Sequence, residues 1–320
     1  MMKCNLAFTQ KERNRHILKR CGGERMTLVP SGINYVGNKW RMLSTLIDNL
    51  DLSRGTFVDT FCGSGVVGVN VSDYYDKVVM NDYCWQLIEI LTAIQCDKNF
   101  IENVERVCEA FNLGKDNKEQ FLECREVFNA KYATEETFNP YMCYALACHS
   151  FSYNMVFNKK GGFSVPSGAG RSWFNPTLKS KLLVFQHVMS KEPIEYYSMH
   201  FKDLFTLILD SSTEEELKDM MVYLDPPYSA CCADGSVSRS YGLRWGWKED
   251  EMLMSVLDKL NECGVHWLLS NVFENKGVVN HRMKEWASNY NVIDVPGIEY
   301  SNAHYQAKPS KAVEVLIRNY

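Results

Sequence analysis

The sequence predicts an α/β fold, a doubly wound sheet with helices on both faces, and three observations carry that prediction. Strand-like apolar runs alternate with segments of helical periodicity along most of the chain. One run, Thr56-Phe57-Val58-Asp59-Thr60, passes at once into Phe61-Cys62-Gly63-Ser64-Gly65-Val66-Val67-Gly68, where glycines let the backbone turn from strand into helix close to a ligand. Another, Val222-Tyr223-Leu224, delivers Asp225-Pro226-Pro227-Tyr228 into a loop. At 320 residues the chain is long enough for one large α/β domain or a core domain with a substantial insertion.

In chain order, residues 1–30 lack clear periodicity and read as a basic arm, partly helical from Lys11 to Lys19. Asn34-Tyr35-Val36-Gly37-Asn38-Lys39-Trp40 is a glycine turn into a helix with apolar positions Met42, Leu43, Leu46, Ile47 and Leu50. Lys39 stands at the start of that helix, where the dipole disfavours a cation; it reads either as a surface lysine or as a partner for an anionic group. After the strand at 56–60, Gly63, Gly65 and Gly68 satisfy GxGxxG, and Asp82 ends the next strand, Lys77-Val78-Val79-Met80-Asn81. An acid there suits ribose hydroxyls, of NAD or of S-adenosylmethionine alike.

Residues 86–130 and 140–148 read as helical, and 154–175 as loop or short hairpin rich in Gly, Ser, Asn and Lys. The alternation resumes with a strand at 195–198, the strip Met199-His200-Phe201-Lys202-Asp203-Leu204-Phe205, and the strand at 221–224. A helix at 250–262, a strand at 266–270, a helix at 284–290 and strands at 291–295 and 312–319 complete the pattern.

Asp-Pro-Pro-Tyr is unusual chemistry to place after a buried strand. Neither proline donates a backbone hydrogen bond, and each stiffens the residue before it, leaving a rigid edge of acceptors. The Asp225 carboxylate and the Pro226 carbonyl can together accept both protons of an exocyclic amino group, with Pro227 holding the turn and Tyr228 offering a flat face. Taken alone, the segment is either an aminopurine pocket or a tight turn closed by an aromatic.

Charge is distributed unevenly. The net charge is −4 and the pI near 6.0, yet Lys159, Lys160, Arg171, Lys179 and Lys181 follow Tyr153 with no acid among them, interleaved with Phe157, Phe163, Trp173 and Phe174. That mixture suits phosphates and bases better than a plain solvated face. The 12 cysteines show no CxxC pair and no metal spacing, so reduced thiols are expected, with neither disulfides nor metal. No apolar stretch is long enough for a membrane span and no secretory signal is evident, which together point to the cytoplasm.

With both anchors placed, the chain resembles the Dam-type DNA adenine-N6 methyltransferases, the D12 or alpha class, and its T-even phage members in particular. The resemblance covers about residues 33–320 and rests on motifs in the family's order. They are Tyr35-Val36-Gly37-Asn38-Lys39, Phe57 to Gly63, Asn81-Asp82, His200-Phe201-Lys202-Asp203, Asp225-Pro226-Pro227-Tyr228, Ser270-Asn271-Val272 and the terminal Glu314 to Tyr320.

It implies a Rossmann-like S-adenosylmethionine-dependent methyltransferase sheet with an inserted, mostly helical target-recognition domain. The expected division is a basic extension at 1–30, a catalytic domain at 31–100 and 195–320, and the insert at 101–194. Tyr35, Lys39, Asp82, His200, Phe201 and Asp225 would contact the cofactor, with Phe61, Gly63 and Gly65 along its loop. Tyr153, Asn154, Val156, Asn158, Lys159, Lys160 and Arg171 would face duplex DNA. Val156 stands where the family has a base-reading arginine, and valine makes no bidentate contact to guanine. Adenine methylation is therefore implied more firmly than the family's GATC target.

The expected mechanism flips an adenine from the duplex, because its N6 is out of reach in the stack. Asp225 and Pro226 hold the amino protons while Tyr228 stacks on the ring. Three alternatives are weaker. An adenine-N6 RNA methyltransferase shares the chemistry but not the duplex-suited insert. A NAD-dependent dehydrogenase leaves Asp-Pro-Pro-Tyr without a task, and a silent DNA-binding protein has no need of it.

Overall fold

The structure, a computed structural model, describes residues 27–35, 37–191, 193–229, 245–275, 277–295 and 313–320. Of the expected arm at 1–30, residues 1–26, including the partly helical stretch at 11–19, lie outside the described residues.

Eight strands form one sheet: β1 (Thr56–Asp59), β2 (Lys77–Asn81), β3 (Ile194–Tyr197), β4 (Met220–Leu224), β5 (His266–Asn275), β6 (Val278–Val279), β7 (Asn291–Asp294) and β8 (Val313–Arg318). Their order is β3-β2-β1-β4-β5-β8-β7, with the short β6 paired to β5. The first five in that order are parallel and β8 runs antiparallel between β5 and β7. The chain winds outward in one direction from β1 through β2 to β3, and in the other from β4 to β5. The switch point therefore lies between β1 and β4, where an open α/β sheet leaves a crevice at its carboxyl ends.

The helices are α1 (Leu43–Asn49), α2 (Val66–Val71), α3 (Trp85–Cys96), α4 (Phe100–Ala110), α5 (Lys118–Lys131), α6 (Pro140–His149), α7 (Pro176–Met189), α8 (Phe201–Ser211), α9 (Glu214–Lys218), α10 (Trp247–Glu262) and α11 (His281–Ala287). None among the described residues is long and apolar enough to cross a membrane.

Alternate residues of each central strand feed two cores, as a pleated strand requires. Phe57, Val78, Met80, Met221 and Tyr223 join α1–α4, α6 and α7 on one face. Val58, Val79, Val222, Leu224 and Trp267 join α8, α10 and α11 on the other. The segment 101–194 shares the first of these cores: Phe185 of α7 reaches within 3.6 Å of where a Cβ on Gly65 would stand.

Three elements differ from expectation. The helix expected at 284–290 is α11 at His281–Ala287, started by Asn280, whose side chain accepts from Met283 N at 3.0 Å. β5 continues past Ser270 to Asn275, because beyond the end of its pairing with β4 it keeps β8 as a partner and gains β6 at Glu274 and Asn275. α7 was not anticipated, although Asn175 caps it by accepting from Leu178 N at 3.0 Å and Pro176 opens it, a familiar helix start.

Candidate functional site

A cavity of about 260 Å³ opens at the switch point, and most of the residues expected to hold the cofactor or form the Asp-Pro-Pro-Tyr segment meet there. Tyr35 and Lys39 enter from the segment before α1, Phe61 and Gly63 from the loop after β1, Asp82 from the end of β2, and Asp225 to Tyr228 from the end of β4. Gly63 sits at φ +50° beneath the Tyr35 ring, where an added Cβ would lie 3.0 Å from the ring edge. Gly65, at φ +72°, faces the other way: a Cβ there would meet Met80 at 2.8 Å. It shapes the turn and caps α2 without lining the cavity.

Asp82 accepts one backbone N–H on each oxygen, from Gly63 at 3.0 Å and from Cys84 at 2.9 Å. Each oxygen keeps lone-pair capacity for a further donor. Burial pushes its carboxyl up to about 6 despite those two amides. Asp59, 1 % exposed, has one oxygen accepting from Gly68 N at 3.2 Å while its Oδ1 has no hydrogen-bond partner. Burial, with the nearby charges of Asp225 and Asp82, holds the Asp59 carboxyl well above the usual range. An orphaned buried carboxyl in a cavity wall fits a cationic group of a ligand, and free acceptors on Asp82 fit a pair of hydroxyls. S-adenosylmethionine carries both, an ammonium at its amino-acid end and a ribose diol.

Asp225 is engaged on both oxygens. Lys39 Nζ lies 2.6 Å from Oδ2, and the Tyr228 hydroxyl donates to Oδ1 at 2.7 Å. Lys39 also donates to the Gly37 carbonyl at 3.1 Å and sits 5.3 Å from the centre of the Tyr228 ring. The sequence left open whether Lys39 was a surface residue; at 4 % exposure it is buried against Asp225 and Tyr228.

His200 and Phe201 line a second, smaller cavity of about 60 Å³, which shares Phe61 and Tyr83 with the first. Its walls are aromatic: the His200 and Phe201 rings are 4.5 Å apart, Phe61 lies 5.7 Å from Phe201, and Trp245 lies 5.6 Å from Phe61. A flat heterocycle fits such a slot. Asp59, Tyr83, Trp245 and Glu249 were not singled out in the sequence. Only Asp59 carried a signal, an acid ending a strand directly before a glycine loop.

In the insert, Phe157 and Phe163 pair across a short hairpin whose tip carries Lys159 and Lys160, both exposed. Asn158 stabilises the tip by accepting from Lys160 N at 2.8 Å and Gly162 N at 3.1 Å. Asn129 of α5 grips the hairpin through both backbone groups of Phe163. Val156 is 37 % exposed and Asn154 half-buried. Ser152 and Tyr153 both adopt positive φ, at 56° and 57°, a strained pair for residues with side chains. The Tyr153 hydroxyl donates to the Arg171 carbonyl at 3.4 Å, which brings those two positions together.

This sheet order, with a glycine loop after β1 and an acid after β2 around one crevice, is the Rossmann-like fold type of S-adenosylmethionine-dependent methyltransferases. Within that class, the chain belongs to the D12 class N6 adenine-specific DNA methyltransferases, whose family model matches residues 35–299. It is 31 % identical over 294 residues to the type II methyltransferase M.FokI of Planomicrobium okeanokoites, covering 91 % of this chain and 43 % of that protein. The modification methylase StsI of Streptococcus sanguinis is 28 % identical over 295 residues with the same coverage. The type II methyltransferase M.CviBI of Paramecium bursaria Chlorella virus NC1A is 25 % identical over 238 residues, 72 % of this chain and 80 % of its own length. The chain thus spans less than half the length of the first two relatives.

Proposed function

We propose that the protein transfers a methyl group from S-adenosylmethionine to N6 of an adenine flipped out of duplex DNA. The observation that carries this reading is the single cavity joining Asp82 and Asp59 at one side to Asp225-Pro226-Pro227-Tyr228 at the other. The cofactor supplies an electrophilic methyl group on a sulfonium. Asp82 would hold the ribose, Asp59 the ammonium end, Tyr35 and Lys39 the approach to the glycine loop, and His200 with Phe201 the cofactor's adenine.

The target base needs the acceptors that Tyr228 and Lys39 now occupy. Swinging the Tyr228 phenol off Asp225 frees one carboxylate oxygen and turns the ring into a stacking surface. The freed oxygen and the Pro226 carbonyl then accept the two N6 protons and fix the direction of the nitrogen lone pair. Lys39 remains on the other oxygen. Positioning and electrostatic placement account for the catalysis on this reading.

The segment 101–194 serves as the target-recognition insert. The hairpin residues Val156, Asn158, Lys159 and Lys160, with Tyr153, Asn154 and Arg171, would meet the duplex. Kinship with the T-even phage branch would rest on the segment Phe151 to Asn158. The relatives named as modification methylases support a role in restriction–modification, and work on duplex DNA would suit the cytoplasm of a bacterial or phage-infected cell. Labelled methyl transfer to duplex DNA, with RNA of the same sequence as the comparison, tests this assignment. Transfer to RNA alone would refute it.

A further inference from the structure

One carboxylate outside both cavities is tied to each of them. Asp250, in the first turn of α10, is 2 % exposed. Its Oδ2 accepts from Ser229 Oγ at 2.5 Å and from Asn280 Nδ2 at 2.9 Å, and its Oδ1 accepts from Trp245 Nε1 at 2.8 Å. Ser229 directly follows Tyr228, whose hydroxyl holds Asp225. The Trp245 ring, 2 % exposed, packs 5.6 Å from Phe61 and 5.5 Å from Phe201 and forms a wall of the smaller cavity. The chain that leaves the catalytic motif at Ser229 and the chain that returns at Trp245 are therefore pinned to the same group.

We propose that Asp250 is a positioning residue that sets the Asp225–Tyr228 segment and the cofactor-side wall at Trp245 in one register. The proposal rests on the methyltransferase reading above, and it deepens it by assigning a residue that touches neither substrate nor cofactor. All three partners donate, so the site needs an acceptor on both oxygens. Burial pushes the carboxyl upward, while the Ser229, Trp245 and Asn280 donors oppose that shift.

The chemistry distinguishes the two ends. Asp250→Asn replaces one acceptor with a donor at nearly constant shape. Turning its amide nitrogen towards Ser229 and Asn280 would oppose the Asn280 amide and also force the Ser229 hydroxyl to reverse from donor to acceptor; turning it towards Trp245 opposes the one indole N–H and leaves the other two bonds intact. The variant therefore keeps the serine side and releases the tryptophan.

The test uses the full chain and two readouts, calorimetric titration with S-adenosylhomocysteine and steady-state transfer to duplex DNA. Losing one such hydrogen bond corresponds to about tenfold, so Asp250→Asn is expected to weaken S-adenosylhomocysteine about tenfold and to raise the KM for S-adenosylmethionine alike, with kcat within about twofold. Trp245→Phe should reproduce that pattern, and the double variant should be no worse than either single one. Ser229→Ala should show the opposite split, kcat lowered about tenfold with S-adenosylhomocysteine affinity within about twofold. Variants that lower only the melting temperature, with wild-type constants for the folded enzyme, would make Asp250 a structural staple and overturn the proposal. Parallel losses in kcat and affinity for both Asp250→Asn and Ser229→Ala would overturn it too. A wild-type chain without methyl transfer overturns the proposed function instead, and the titration still judges Asp250.

Discussion

The Lys39 ammonium stands 2.6 Å from the Asp225 carboxylate, with Lys39 buried and Asp225 half-buried where the segment before α1 meets the end of β4. With the Tyr228 hydroxyl on the other oxygen, the acidic group of the catalytic motif is fully engaged before any base arrives. Opening the base pocket therefore means moving one side chain, Tyr228, while Lys39 stays.

That relationship separates the two parts of Tyr228. Tyr228→Phe keeps the stacking face and removes the phenol that competes for Asp225, so kcat should remain within a few-fold and the KM for DNA should fall. Tyr228→Ala removes the face, and because base–aromatic stacking contributes about 1–3 kcal/mol, transfer should drop about ten- to hundredfold. Steady-state kinetics on one duplex substrate compares the two.

Removing the cation should cost more than removing the phenol. Lys39→Met leaves Asp225 facing the cavity without its partner. Breaking a fully buried pair costs about 3–5 kcal/mol, and since Asp225 keeps some solvent contact the expected loss is nearer 1–3 kcal/mol. Urea denaturation should show a lower midpoint with an unchanged slope, together with strongly reduced transfer.

The pH dependence of cofactor binding follows from Asp82. Its carboxyl, pushed by burial to about 6, must be ionised to accept two hydroxyls well, so affinity for S-adenosylhomocysteine should fall as pH drops through 6. Asp82→Asn should remove that inflection, leaving whatever proton uptake or release the neighbouring Asp59 carboxyl contributes. The sign for stability is opposite. Because the folded carboxyl holds its proton more tightly than the unfolded one, Asp82 favours the free fold at low pH, and that contribution is lost as pH rises from about 4 to 6. Titrations between pH 5 and 7.5, paired with melting curves of the free protein, check both directions.

For the insert, the expectation concerns salt. If Lys159 and Lys160 neutralise phosphates, replacing each with Ala should reduce the slope of log affinity against log salt by about 0.9, uniformly across sequences. Val156→Arg should act differently by favouring sites with guanine beside the target adenine. Binding curves at several salt concentrations, on two duplex sequences, distinguish these effects.

Much of the catalytic half was legible in the sequence, because its chemistry is local. The glycines, Asp82 and Asp225-Pro226-Pro227-Tyr228 each sit at the end of a strand whose apolar run is visible, and the parallel order β2-β1-β4 brings those ends together. Lys39 was ambiguous for the same reason reversed: its dipole argument is weak, and only tertiary packing shows what the cation faces. Trp245 and Asp250 were illegible, since a wall contributed from beyond a long connection and a carboxylate shared by one near donor, Trp245, and two distant ones, Ser229 and Asn280, leave no periodic trace. α7 escaped because the Asn175-Pro176 start was read as the end of a polar loop. The single core shared by 101–194 and the sheet was equally hidden, since sequence texture marks an insertion but not what it packs against.

The central claim is that Asp225 and its neighbours place a methyl group on N6 of adenine in duplex DNA. The most direct measurement is sequencing that reports N6-methyladenine in DNA from cells expressing the wild-type chain or Asp225→Ala. The account predicts N6-methyladenine at one defined sequence context with the wild type and none with the variant. Equal methylation by both, or modification at another base or atom, would contradict it.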